Sequence, residues 1–236
     1  MNKLFDEYSL KARLYPALLT ILPLLLASVL LLPALEMRIN ALFPIFIGCG
    51  ALYLLTHLVR TRGRSIEGIL FQKWGGMPSN IMLRVTDNSL DENTKARYRS
   101  KLSKFTNIDM PSKDDELRDI HLSDDAYGSA GVWLRENRKD TSKYNLLFKE
   151  NIGYGFRRNM YGVKILGILI SIFSIAISTI IGFIQYESAA ILLSSVSSSL
   201  IGLICLLLWV SLVNEQWVRD AAYSYANQLL SSLDSL

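Results

Sequence analysis

The chain has 236 residues, 50% of them hydrophobic and 19% charged, with a formal net charge of +4. The charged fraction lies below the roughly 25% of soluble domains, and the deficit is local: residues 16–35, 41–59, 165–186 and 188–213 contain no Asp, Glu, Lys or Arg. Four such stretches, each near the roughly 20 residues that cross a bilayer core, exclude an ordinary soluble enzyme, a disordered chain and a secreted disulfide scaffold.

In chain order, a short segment, 1–15, precedes span one at 16–35, and a tight turn at 36–40 leads into span two at 41–59. An unpaired backbone amide in hydrocarbon costs several kcal/mol, and so few apolar segments cannot close a barrel, so each span is expected to be helical. Pro23, Pro33 and Pro44 are expected to kink or cap this first hairpin rather than break it. The first apolar run is too long for the core of a signal peptide, and a second span follows at once, so it is read as retained. Cys49 and Cys205 fall inside spans, where they read as small packing residues with no disulfide or metal implied.

Residues 60–161 carry 19 Lys and Arg against 14 Asp and Glu, a net of +5, and are long enough for a small domain. Ser65-Ile66-Glu67 opens a helical run through Leu70 and Trp74, which Gly75-Gly76 and Pro78 stop. A short β-hairpin near 80–86 stays open as an alternative. Asp91 is placed to cap a helix through Tyr98, Leu102 and Phe105, and Pro111-Ser112 starts an acidic stretch. Ser123-Asp124-Asp125 reads as the start of a helix carrying Tyr127, Ala130, Trp133 and Leu134, and Asp140-Thr141-Ser142 restarts one through Leu147.

The second hairpin occupies 162–213, with span three at 163–184, a turn at 185–189 and span four at 190–213. Span three repeats small residues at Gly167, Ser171, Ser174, Ser178 and Gly182, and span four at Ala190, Ser194, Ser198 and Gly202. Each set falls on one helix face, and small faces let helices approach closely while their hydroxyls bond across the contact. Helix packing, within the chain or between chains, is one reading. The other is a narrow polar path in an oligomer, prompted by Ser197 and the Ser195/Ser199 pair, which lie off that ladder. The tail, 214–236, places Trp217, Ala221, Tyr225 and Leu229 at near-heptad spacing. It is read as a helix continuing from span four onto the central domain, or as a bundle at an oligomer axis.

Arg38 is the sole Lys or Arg in either short turn; the other 24 lie in 1–15, in 60–164 or after span four. This asymmetry is the positive-inside pattern, which puts both termini and the central domain in the cytoplasm of a bacterial inner-membrane protein. The expected class is therefore mainly α: four transmembrane helices in two hairpins flanking a mostly helical cytoplasmic domain.

Little in the sequence offers chemistry. His57 sits at the inner end of span two, and His121 lies among Asp119, Asp124 and Asp125 without the converging partners that catalysis or a metal needs. Gly153-Tyr-Gly155-Phe-Arg157-Arg158 lacks the Lys-Ser/Thr ending of a phosphate loop, so its arginines are read as interface anchors. No catalytic residue, metal ligand, cofactor or enzymatic activity is expected. The basic strip Lys95, Arg97, Arg99, Lys101 and Lys104 carries three readings: a solvated face, a contact with anionic lipid, or a site for a phosphate-bearing ligand. In the last, Arg84, Lys95, Arg97 and Arg99 hold the ligand, and Trp74 or Trp133 offers a stacking surface. The spans lack the ionisable residues of a coupled transporter, which disfavours that class.

Trp74-Gly75-Gly76-Met77-Pro78-Ser79, Leu83-Arg84 and Thr94-Lys95-Ala96-Arg97-Tyr98 resemble a recurring pattern in uncharacterised bacterial four-span membrane proteins. In layout the chain is similar to the transmembrane effectors and sensors of anti-phage defence systems, both CBASS-type and CRISPR-associated. That likeness implies a homo-oligomer in the lipid bilayer that alters membrane permeability when its cytoplasmic domain meets a protein partner or a nucleotide-type messenger, with no direct DNA binding. The alternative is a non-conducting anchor or scaffold that recruits a soluble protein.

Overall fold

The computed structural model describes residues 6–34 and 42–235, and it is helical throughout, with no strand among the described residues. The predicted turn at 36–40, with Arg38, lies outside them, as do the side chains of Pro33, Pro44 and Cys49. The helices are α1 (Glu7–Ser9), α2 (Tyr15–Ala34), α3 (Leu42–Trp74), α4 (Pro78–Leu83), α5 (Glu92–Thr106) and α6 (Lys113–Arg118). They continue with α7 (Ile120–Glu136), α8 (Asn145–Gly162), α9 (Lys164–Ile184), α10 (Ala189–Ser211) and α11 (Glu215–Ser231). A π-helical turn, Leu10–Leu14, joins α1 to α2, and a 3₁₀ turn, Ser232–Ser235, ends the chain. Three helical segments are long and apolar enough to cross a membrane: Glu7–Leu32, Lys164–Ile184 and Ala189–Ser211. The predicted second span falls in α3, whose residues 42–49 have no described side chains. Two compact units result, one of Met1–Ile66 with Gly155–Trp217, the other of Glu67–Tyr154 with Val218–Leu236.

In the first unit α2, α9 and α10 pack on one another. Gly167, Ser171, Ser174, Ser178 and Gly182, the predicted small face of α9, are all buried. Ser178 and Ser198 share a hydroxyl–hydroxyl bond of 2.7 Å, and Ser174 donates to the Pro23 carbonyl of α2 at 3.1 Å. α2 runs through Pro23 unbroken. Gly167 is required by close approach, because a methyl group there would overlap the Trp209 ring. Large apolar side chains point the other way: Ile165, Leu169, Phe173, Ile180, Phe183, Leu193, Leu200 and Leu207 are all more than half exposed.

The face predicted on α10 needs correction. Its buried positions are Ile191, Ser195, Ser198, Gly202 and Trp209, while Ala190 is exposed and Ser194 and Ser197 are half-buried. A helix turns about 100° per residue, so a strict spacing of four drifts by about 40° at each step. The 4-3-4 spacing of 191, 195, 198 and 202 stays within about 60°, and that is the face that packs.

The second unit is built on Met82, Leu83, Tyr98, Leu102, Tyr127, Ala130, Leu134, Leu147, Ala226, Leu229, Leu230 and Leu233. Asp91 caps α5 as expected, accepting from the Thr94 amide at 2.9 Å, and Ser112 with Asp115 forms a capping box on α6. Gly75 and Gly76 end α3 with φ of 83° and 145°, values that side-chain-bearing residues rarely adopt.

Three further expectations change. The stretch 80–86 holds no hairpin: Pro78 opens α4, fully buried from Pro78 to Leu83. α7 starts at Ile120, not at Ser123, because Asp119 accepts from the His121 and Leu122 amides and so caps it earlier. The tail does not run on from α10, since the chain leaves the helix at 212–214 and restarts at Glu215. Ala221, Ala222, Ala226 and Leu229 are then buried within this same chain, which leaves no exposed seam for a bundle of tails.

The α9–α10 contact gives a direct test. Gly167→Leu is expected to lower the stability of the purified full chain by about 1–3 kcal/mol or more through overpacking, read as a lower midpoint in thermal circular dichroism in detergent. Ile172→Ala on the outward face is expected to change it by no more than about 0.5 kcal/mol.

Candidate functional site

Two polar clusters remain as candidate sites, one in each unit. The first contains the basic side chains that the sequence offers as ligand-binding. Arg84 forms a two-pronged pair with Asp124, Nε to Oδ1 at 3.0 Å and Nη2 to Oδ2 at 2.5 Å, and also donates to the Gly75 carbonyl at 2.6 Å. That contact with Asp124 holds the guanidinium above its ordinary pKa. Lys95 is 2% exposed, its ammonium donating to the Asp87 carbonyl and, at 3.5 Å, to that of Val85. Arg99 donates to the Leu83 carbonyl at 2.7 Å and also to Tyr127 Oη and the Pro111 carbonyl. Arg97 grips Asp234 through two bonds of 3.0 Å, and Lys101 adds the Leu233 carbonyl at 2.9 Å and Asp234 at 3.2 Å. Arg97 first, then Lys101, holds the Asp234 carboxyl below the usual carboxylate range. The strip thus ties α5 to the loops around it and to the end of the chain.

The stacking surfaces are partly committed as well. Trp133 lies against Phe105, centroids 5.6 Å apart and planes within 12°, and Trp74 is half-buried with Phe71 at 6.0 Å.

Glu116 is the residue that sequence reasoning missed. It is 4% exposed and accepts from Tyr127 Oη at 2.6 Å, the amides of Val85 and Thr86 at 2.7 and 3.1 Å, and Thr86 Oγ1 at 3.0 Å. Arg99 lies 3.9 Å away. Burial pushes the carboxyl up, but the bonds from Tyr127, Val85 and Thr86 outweigh it and hold Glu116 below its ordinary value. The same burial, together with Glu116, pushes the Tyr127 phenol well above its usual range. A carboxylate so fully occupied is a clamp, poorly suited to accept a substrate proton. Nothing in Lys113-Asp114-Asp115-Glu116 distinguishes Glu116 from its exposed neighbours; only the packing of α6 on α7 does.

His121 is exposed, and His57 meets Tyr53 edge-on at 4.7 Å. Among the described residues no three His, Cys, Asp or Glu gather where they could hold a metal ion.

The second cluster is the hydroxyl set of α9 and α10. Beside the buried Ser178–Ser198 bond, Thr179 and Ser199 face each other at 3.3 Å on the exposed side. Ser199 and Ser195 line an open, mostly apolar groove of about 520 Å³ with Gly182, Phe183, Tyr186 and Val196. Ser195 Oγ is buried without a hydrogen-bond partner. Of the predicted face, Gly167, Ser171, Ser174, Ser178, Gly182, Ser198 and Gly202 are brought together at the helix contact, and Ser194 and Ser197 are not.

Compared with known proteins, the chain matches no family model, no curated protein and no solved structure. Its function is argued from its own geometry.

The Glu116 clamp makes two predictions. Glu116→Ala strands two buried amides and is expected to cost on the order of 3 kcal/mol, seen as a lower midpoint for the second transition or for the whole chain in chemical unfolding. Because the folded carboxyl titrates below its unfolded value, its contribution is present above about pH 4.3 and is lost as pH falls through the folded value. Wild-type protein is therefore expected to lose stability in that acid range more steeply than Glu116→Gln.

Proposed function

We propose that the protein is a four-span anchor of the bacterial inner membrane that holds a basic helical module at the cytoplasmic face, where the module recruits a soluble protein. The observation that carries this reading is the inverted burial of α9 and α10. Serines and glycines pack inside, and Ile, Leu, Val and Phe face out. In water that arrangement exposes large apolar surface; in hydrocarbon it is the stable one, because small interfaces and interhelical hydroxyl bonds are what drive association there. The chain's Lys and Arg concentrate in the segments flanking the spans, which supports cytoplasmic termini.

The anchor reading is preferred over a conducting one because Ser171, Ser174, Ser178 and Ser198 are spent on bonds within the chain. The basic strip is likewise spent on its own carboxylates and carbonyls, which disfavours it as a messenger site. The second unit instead offers apolar side chains to a partner: Leu117, Leu122, Val132 and Leu146 are each more than half exposed. One observation favours the permeability-altering effector as a second reading. Thr179 and Ser199 place hydroxyls 3.3 Å apart on the exposed side of the α9–α10 contact, and Ser195 Oγ lies buried beside the same groove without a hydrogen-bond partner.

Topology and mechanism are tested separately. In a background lacking Cys49 and Cys205, cysteine introduced by Ser100→Cys is expected to react with an impermeant maleimide only after the cells are opened. Labelling in intact cells overturns the orientation. Co-purification of a stoichiometric cytosolic protein, lost on Leu117→Asp with Leu122→Asp while membrane potential stays unchanged, supports the anchor. Depolarisation that Ser195→Leu and Ser199→Leu abolish supports the effector.

A further inference from the structure

A second groove lies in the same helical unit. It measures about 240 Å³ and is lined by Leu19 and Leu22 of α2, Phe156 and Met160 of α8 and Cys205 and Trp209 of α10, with Trp217 among its residues as well. Between Cys205 and Trp209 it follows about one turn of α10, roughly 6 Å, and Leu212 and Val213 line it just past the end of that helix. Its lining is almost wholly apolar side chain. Arg157 donates from Nη1 to the Trp217 carbonyl at 3.0 Å and lies 5.2 Å from the Trp217 ring centre. Among the described residues no carboxylate pairs with Arg157.

We propose that this groove holds one acyl chain of a phospholipid whose anionic headgroup sits on Arg157 and Trp217. The inference rests on the membrane reading above and adds a ligand to it. The groove opens on the outward face, where its lining residues Leu208 and Leu212 are about half exposed and an acyl chain has access. An empty groove in hydrocarbon forfeits dispersion contacts along its whole lining, and a flexible chain restores them. The chemistry at Trp217 selects the class of lipid. Arg157 brings a positive charge without a carboxylate partner, and an indole beside it is the side chain that settles at headgroup depth. Basic groups between spanning helices on the cytoplasmic side bind anionic headgroups in this way. Lys164 and Arg13, at the same ends of α9 and α2, add to the positive field.

Trp209 and Trp217 provide the readout. The full-length protein is reconstituted into vesicles carrying a trace of phosphatidylglycerol or of phosphatidylcholine, each with bromines on its acyl chains, in unlabelled phosphatidylcholine. Bromine quenches indole emission on contact. Brominated phosphatidylglycerol is expected to quench at a mole fraction about fivefold lower than brominated phosphatidylcholine, the preference of about one basic group near the surface. Arg157→Gln is expected to bring the two lipids level while the quenching itself remains. Cys205→Phe, which fills the groove, is expected to remove the excess quenching in a protein with unchanged far-ultraviolet circular dichroism. Millimolar inorganic phosphate is expected to leave the quenching intact; relief by phosphate alone overturns the lipid in favour of a free anion. Equal quenching by both lipids in the wild type overturns the headgroup site and leaves the membrane reading standing. So does a dimer that Cys205→Phe dissociates, since the groove then holds a second copy. No quenching by either lipid overturns both.

Discussion

Between α9 and α10 every buried side chain of α9 is glycine or serine, as are three of the five on α10, and this smallness allows the two helices to approach until Ser178 and Ser198 touch at 2.7 Å. Glycine supplies the proximity and serine the bond, and the two are needed together. A hydroxyl in hydrocarbon without a partner is costly, while a small apolar face without hydroxyls packs but carries less directional preference. The remainder of the bundle follows from that contact. Trp209 fits only over the bare backbone at Gly167, Ser174 is left aimed at α2, and the long apolar side chains are driven to the outside.

The second unit solves the opposite problem. It buries charge, and its buried charges are satisfied by backbone groups more than by each other. Lys95 ends on carbonyls, Arg99 on two carbonyls and a phenol, and Glu116 on two amides and two hydroxyls. Such an arrangement adds little net stability over a well-packed apolar core, because each charge has lost its hydration. What it adds is definition. The segments around Val85, Asp87 and Pro111 have no regular ladder of their own, and the buried Lys95 and Glu116 with the half-buried Arg99 supply the missing partners for their backbone.

How much of this was legible in the sequence depended on whether the determinant was local. The apolar runs, the caps at Asp91 and Ser112 and the stop at Gly75-Gly76 are local, and they appear where the pattern puts them. The start of α7 lies three residues ahead of Ser123 because Asp119 takes the free amides of His121 and Leu122 before Ser123 is reached. The small face of α9 was legible because its 4-3-4-4 spacing tracks the helix; on α10 the even spacing of four was a false guide, and Ser195 replaced Ser194 on the buried side. The basic strip was the least legible. Alternating Lys95, Arg97 and Arg99 look alike in sequence, yet one is buried, one exposed and one half-buried, because their partners come from residues 83 to 234.

The same distribution of hydroxyls weighs on mechanism. Those of α10 stop at Ser199 and resume only at Ser211, so Leu203 to Val210 offers no hydroxyl over about 12 Å. On α9 the stretch from Ile165 to Ile170 is equally bare. Along the α9–α10 contact hydroxyls therefore occupy only one half of the length, and the other half is largely apolar, of the kind that closes pores by dewetting. If copies of this chain conduct through the α9–α10 contact, the two helices must separate there. That separation breaks the Ser178–Ser198 bond and uncovers Gly167 and Gly202. A receptor that merely positions a soluble partner needs none of this, and a bundle locked by its own hydroxyls serves it as built.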